Sequence, residues 1–227
     1  MTRDAQAPVS EDPSTAPPRG AAAPRSGAPA AAEQRQAAQP GARGAVTRER
    51  IVDAATELFY AQGLRAVSAD RIIERAGITK VTFYRHFPTK DDLIVAYLER
   101  RAAWERGAVE GASTAAHGDV DETLRMVSEG IGQEACTAGF RGCPFINAAA
   151  EYADPEHPVR RVVDAHRAWF LSRLRELTAA AGIDGEEAAD ELMMLRDGAM
   201  VSGYLGDPQH VASALLSASR AVITTHL

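Results

Sequence analysis

The chain has 227 residues, enough for one or two domains, and 45% hydrophobic side chains allow a full core. A net charge of −6 at first discourages nucleic acid as a partner, but residues 41–106 carry twelve basic against nine acidic side chains, while residues 107–227 carry nine against eighteen. No apolar run approaches the ~20 residues needed to cross a bilayer, and the first forty residues lack the apolar stretch of a secretory signal. No membrane association is expected, and a cytoplasmic location is.

Residues 1–44 are dominated by Ala, Pro, Gly, Ser and Gln, with no aromatic side chain. Such a segment buries too little apolar area to offset its ordering entropy, so a disordered tail is expected. Order is expected from near Thr47, where Ile51, Ala54, Ala55, Leu58 and Phe59 recur at helical spacing up to Gly63. Ser68 then caps a short helix carrying Ile72, Ile73 and Ala76, Gly77 makes a sharp turn, and Thr79 opens a third short helix that Pro88 stops. Thr89 and Asp92 have capping-box spacing and start a long helix bearing Leu93, Tyr97, Arg101 and Trp104.

Every later stretch also reads helical: Asp119 to about Thr137, Phe145 to about Tyr152, His157 to Ala181, Glu186 to Leu205, and a last helix after Gly206-Asp207-Pro208. No strand pattern occurs, and the fold class expected is all-α. Domains are expected at 45–104, for DNA binding, and 105–227, for ligand binding and dimerisation.

Three short helices with a glycine turn between the second and third match the helix-turn-helix plan. The third reads Thr79-Lys80-Val81-Thr82-Phe83-Tyr84-Arg85-His86-Phe87. Ile78, Phe83 and Phe87 would pin it to its neighbours. Lys80, Val81, Thr82, Tyr84 and Arg85 would face a major groove, where hydroxyls and ammonium groups reach base edges or phosphates.

Residues 47–93 resemble the DNA-binding domain of the TetR family of bacterial regulators, through Ile51–Phe59, Gly63, Ser68, Ile72, Ala76-Gly77-Ile78, Thr82-Phe83-Tyr84, His86-Phe87 and Lys90 to Leu93. The resemblance implies base contacts from Lys80, Val81 and Thr82, with Thr79 at the start of the reading helix. It implies phosphate contacts from Tyr84, His86 and Lys90, and backbone anchoring by Thr47 and Ser68 from helix N-termini. Arg85 lies at a position that varies. Asp70 stands where some members place a basic residue, and a carboxylate there would repel phosphate.

The resemblance also implies a homodimer on a palindromic double-stranded operator, released by a small-molecule inducer. Leu192, Met193, Leu195, Val211, Leu215, Val222 and Ile223 are the expected dimer interface, with ordinary core within the chain accounting for some of these positions. Trp104, Met126, Phe140, Cys143, Phe145, Asn147, His166, Trp169 and Phe170 are the expected ligand wall, although aromatic residues at helical spacing also serve as plain core. His166 is in register with inward positions, which equally fits a buried neutral imidazole.

Cys143, between Gly142 and a proline-started helix, is expected to react with electrophiles faster than Cys136, which is expected in mid-helix, while a buried inert cysteine fits the same position. Two cysteines without a Cys-X-X-Cys pair form no disulfide framework and no metal site, and no cofactor is expected. Glu151, Asp154 and His157 read as solvated turn charges rather than metal ligands. An enzyme is disfavoured, since GxSxG, HExxH, GxxxxGK[ST] and GxGxxG are all missing. A ligand-free DNA-binding protein is the remaining alternative.

Overall fold

The computed structural model describes residues 40–227. Most of the expected tail, residues 1–39, lies outside that range. The order of elements is α1 Pro40–Gln62, α2 Ala69–Ala76, α3 Lys80–His86, α4 Lys90–Ala115, α5 Val120–Ala135, α6 Pro144–Glu151, α7 Pro158–Ala180, α8 Glu187–Leu205, a 3₁₀ turn Pro208–His210 and α9 Val211–His226. Among the described residues there is no strand, and the class is all-α.

The helix boundaries follow local chemistry. Ser68 and Thr79 have extended backbones, and their hydroxyls accept from the amides of Arg71 and Thr82. Thr89 and Asp92 close a reciprocal capping box at the start of α4. Gly77 takes φ +61 between α2 and α3, a left-handed turn that a side chain would strain. One start differs from expectation: α1 begins at Pro40, ahead of Thr47. Proline is tolerated in a helix's first turn, and Ala42, Arg43 and Ala45 favour the extension that Gly41 and Gly44 oppose.

The core of the N-terminal helices is wholly apolar. Ile51, Phe59, Ile72, Phe83, Leu93 and Leu98 are all essentially inaccessible to solvent. This core continues without a break into Cys143, Phe145, Ala148, Val159 and Met200 of the later helices. Helix α4 belongs to both parts and runs well beyond the expected domain boundary at residue 104. The C-terminal helices pack at short range. A Cβ on Gly132 of α5 would lie 2.6 Å from Ala212 Cβ on α9, so the glycine sets that helix separation.

Candidate nucleic-acid interface

Helix α3 divides cleanly. Phe83 is fully buried and Phe87 nearly so, while Val81 is 79% and Tyr84 42% exposed. Lys80 and Arg85 are also exposed and Thr82 is half-buried. Thr79 Oγ1 and Thr82 Oγ1 lie 2.9 Å apart at the N-terminal end. An exposed apolar Val81 beside hydroxyls and cations makes a surface able to meet thymine methyls, base edges and phosphates together.

Several residues at this surface are engaged differently from the expectation. Thr47 sits inside α1, not at its N-terminus, and its hydroxyl donates to Arg43 O at 2.9 Å. The ammonium of Lys90 donates to the carbonyls of Leu64, Val67 and Arg65 at 3.0, 3.1 and 3.3 Å. That three-way contact satisfies the turn between α1 and α2 and makes Lys90 an internal strut. His86 Nε2 is covered by protein without a hydrogen bond. Lys80 Nζ lies 3.3 Å from Asp70 Oδ1, an exposed pair that holds the first basic group of α3 beside α2.

Above this surface, a cavity of about 700 Å³ opens between α4 and α5 and reaches α1, α7 and α8. Of the expected ligand wall, Trp104, Met126, Phe140 and Phe170 line it. Cys143, Phe145 and His166 line a separate hollow of about 220 Å³, which Phe170 also borders. Asn147 borders a third, of about 210 Å³, and donates to Arg141 O. Trp169 lines none of these three and stacks on His166 instead. The nine positions therefore do not form one wall.

Between the first two hollows lies a buried ionic cluster. Glu105 Oε2 is 3.0 Å from His166 Nε2 and 3.2 Å from Arg196 Nη2, and Oε1 is 3.0 Å from Arg101 Nε. Burial alone would raise the pKa of Glu105. The His166 contact and the charges of Arg196 and Arg101 outweigh it and hold the carboxyl below its ordinary value. Arg196 Nη1 also contacts Cys143 Sγ at 3.2 Å. The Cys143 side chain is buried; Cys136 is exposed and stands at the C-terminal end of α5, not in mid-helix. A legible sign of this cluster exists in the sequence. Arg196 falls between Leu192 and Met200 at helical spacing, a charge on an inward face.

Helix α6 ties the cavity region to the N-terminal helices. The Glu151 carboxylate accepts from the amides of Leu64 and Arg65 at 2.9 and 2.7 Å, and Arg65 Nε returns a bond to Glu151 O at 2.8 Å. Tyr152 OH donates to Asp91 Oδ1 at 3.0 Å, at the start of α4. Before α6, Tyr60 OH of α1 donates to Gly142 O and accepts from Arg141 N. Glu151 is thus a structural carboxylate rather than a solvated one. Its partners are far away in the chain, so no local pattern signals it.

The last two helices also depart from expectation. Leu192, Met193, Val211 and Leu215 are buried within their own chain, and Leu195, Val222 and Ile223 are half-buried. The outward apolar stripe on α8 is Met194, Val201 and Leu205, with Gly198 between. On α9 the outward positions are small: Ala214, Ser217, Ala221 and Thr225.

Comparison with known proteins places these features in a class. Residues 51–97 match the family model "Bacterial regulatory proteins, tetR family". The solved structure of SCO4454, a TetR-family transcriptional regulator from Streptomyces coelicolor, is 43% identical, with a TM-score of 0.76 over 80% of this chain and 96% of that one. The HTH-type transcriptional regulator LmrA of Bacillus subtilis is 26% identical over 69% of this chain and 86% of its own length. SrpR of Pseudomonas putida is 42% identical over 60 residues, covering 26% of this chain and 28% of that protein. The molecule is a DNA-binding transcriptional regulator of the helix-turn-helix type, not an enzyme. The chain belongs to the TetR family.

Proposed function

We propose that this regulator is a homodimeric, cytoplasmic repressor that holds a palindromic operator through α3 and releases it when a small molecule enters the α4–α5 cavity. The observation that carries the reading is the two-sided α3: Phe83 and Phe87 lock it in place while Lys80, Val81, Tyr84 and Arg85 remain outside. Thr79, Lys80, Val81 and Thr82 would read bases. Tyr84 and Arg85 would hold phosphates, with Ser68 and the open side of His86 flanking them. A dimer would set two such helices about 34–36 Å apart, in successive major grooves.

Dimerisation is assigned to the outward stripe Met194, Val201 and Leu205 of α8 against the small-residue face of α9, in place of the side chains buried within the chain. Exposed aliphatic side chains in one row gain by being covered, and small residues opposite allow close helix approach. For release, two elements link cavity and reading head: α4, which bears both Lys90 and the cavity residue Glu105, and α6 through Glu151. A ligand that tilts either one would weaken operator binding by roughly 5–150-fold, the range of a 1–3 kcal/mol coupling.

The test is a footprint on genomic fragments selected by the protein. A bounded, palindromic protected site supports the reading, and protection without sequence preference refutes it. Val201→Arg should produce monomers in sedimentation with operator affinity lost in parallel. A variant that remains dimeric removes this interface from consideration.

A further inference from the structure

The walls of the α4–α5 cavity specify the chemistry of its occupant. Building on its assignment as the inducer site, we infer that it takes an elongated, uncharged, largely apolar molecule that accepts a hydrogen bond from Tyr97 at the inner end.

Charge is the first support. Each ionised side chain on these walls already has an opposite partner: Glu57 has Arg75, Arg101 has Glu105 and Glu134, and Arg196 has Glu105 and Asp197. A charged ligand would have to compete with one of these pairs and leave a half-buried ion uncompensated. A neutral ligand disturbs none of them.

The second support is Tyr97. Its side chain is only 4% exposed, its ring packs on Phe59, and its hydroxyl makes no hydrogen bond to protein among the described residues. The neighbouring Tyr60 hydroxyl, by contrast, is used twice. The buried Tyr97 stands at the inner end of the α4 wall, whose outer residue Ala108 is exposed, and it borders the third hollow as well. Burial pushes its ionisation well above the usual tyrosine range, so it remains an O–H donor at any physiological pH. A hydroxyl that no protein group engages, on the wall of a largely apolar cleft, is the kind of sparse polar group that orients a ligand.

Shape is the third. Along α4 the wall runs from Tyr97 to Ala112, a rise of ~22 Å. Opposite it stand Met126, Val127 and Ile131 of α5, and a side chain added at Gly130 would meet nothing within 4 Å. The volume suits a ligand several rings or a long chain in length, with its polar atom innermost.

The experiment uses the full chain and three fluorescent probes of similar size. They are an uncharged naphthalene ketone (6-propionyl-2-dimethylaminonaphthalene), the anion 1-anilinonaphthalene-8-sulfonate and a cationic styrylpyridinium. The ketone should bind roughly tenfold or more tightly than either ion. Tyr97→Phe should weaken the ketone about fivefold and shift its emission to the blue, because the carbonyl loses its donor. Thermal melting of that variant should match the wild type, since the hydroxyl supports no protein contact. Ala108→Trp, on the exposed outer wall, should exclude the ketone without disturbing the core.

Either ion binding as tightly as the ketone, or unchanged affinity and emission in Tyr97→Phe, would overturn the inference. Operator release measured with the same compounds separates the two levels. Release by an ion that displaces the ketone overturns the ligand class and leaves the inducer site standing. The expected probe preferences with no effect of any cavity ligand on operator affinity would uphold the class and overturn the inducer role.

Discussion

At α3, the rings of Phe83 and Phe87 face the core while Lys80, Val81, Tyr84 and Arg85 face water, with nothing ionised on the inner side. At the junction of α4, α6, α7 and α8 the order is reversed, and Glu105, Arg196, His166 and Cys143 are enclosed by helices. The first arrangement rests on dispersion and area burial, which are insensitive to what the outer face carries. The second rests on directional contacts in a low dielectric, where each group depends on the others. The comparison teaches that the reading head can change its outward letters without altering its fold. The C-terminal helices have no such freedom at this cluster, because its polar groups are also internal supports.

Substitutions sharpen that contrast, beginning with the largest effect. Phe83→Ala removes a fully buried ring from the apolar core and should cost about 3–5 kcal/mol in denaturant unfolding. A loss below 1 kcal/mol would mean that α3 is not held by this anchor. Glu105→Gln keeps the shape of the ionic cluster but removes its charge, and should cost about 1–3 kcal/mol near neutral pH. The native carboxyl titrates below its ordinary 4.5, so the stability that its ionised form adds is complete above that pH and is lost as pH falls through the native value. The gap between wild type and variant should therefore close in acid, as followed by unfolding at stepped pH; a gap that widens in acid would reverse the assignment.

On the outer face, Thr82→Ala and Tyr84→Ala should leave unfolding unchanged within about 0.5 kcal/mol. They should separate in DNA binding. Thr82→Ala should relax preference at one base position by about 1–3 kcal/mol, and Tyr84→Ala should weaken all sequences alike. Equal effects of both variants on every operator position would break the division of roles. The smallest perturbation is a thiol label in the native protein. Exposed Cys136 should react well before buried Cys143, despite the helix N-terminus beside the latter, as read by mass spectrometry. Faster labelling at Cys143 would show that this hollow opens to solvent and would restore it as a reactive site.

What could be read in advance follows the same division. Caps at Ser68, Thr79 and Thr89 and the turn at Gly77 are written in neighbouring residues, and those helix starts match the chain's own signals. Periodicity also identified the inward faces of the last two helices. It does not tell whether the covering body is the same chain or a second copy, which is why Leu192 and Leu215 were expected at an interface and lie in the core. The phosphate contact of Lys90 is what the resemblance implies, and no neighbouring residue in the sequence marks the distant carbonyls that its ammonium meets. Glu151 and Arg196 have meaning only once helices distant in sequence are adjacent.

The Glu151 clasp bears on modularity. The turn that orients the reading helices has two of its backbone amides satisfied by a carboxylate that arrives some 87 residues later in the chain. A chimera joined just after α4 would inherit the recognition helix but hand those amides to water or to whatever residue its new partner offers. Grafting this reading head onto another effector body therefore requires transplanting α6 with it, or choosing a body whose own α6 ends in a matching acid.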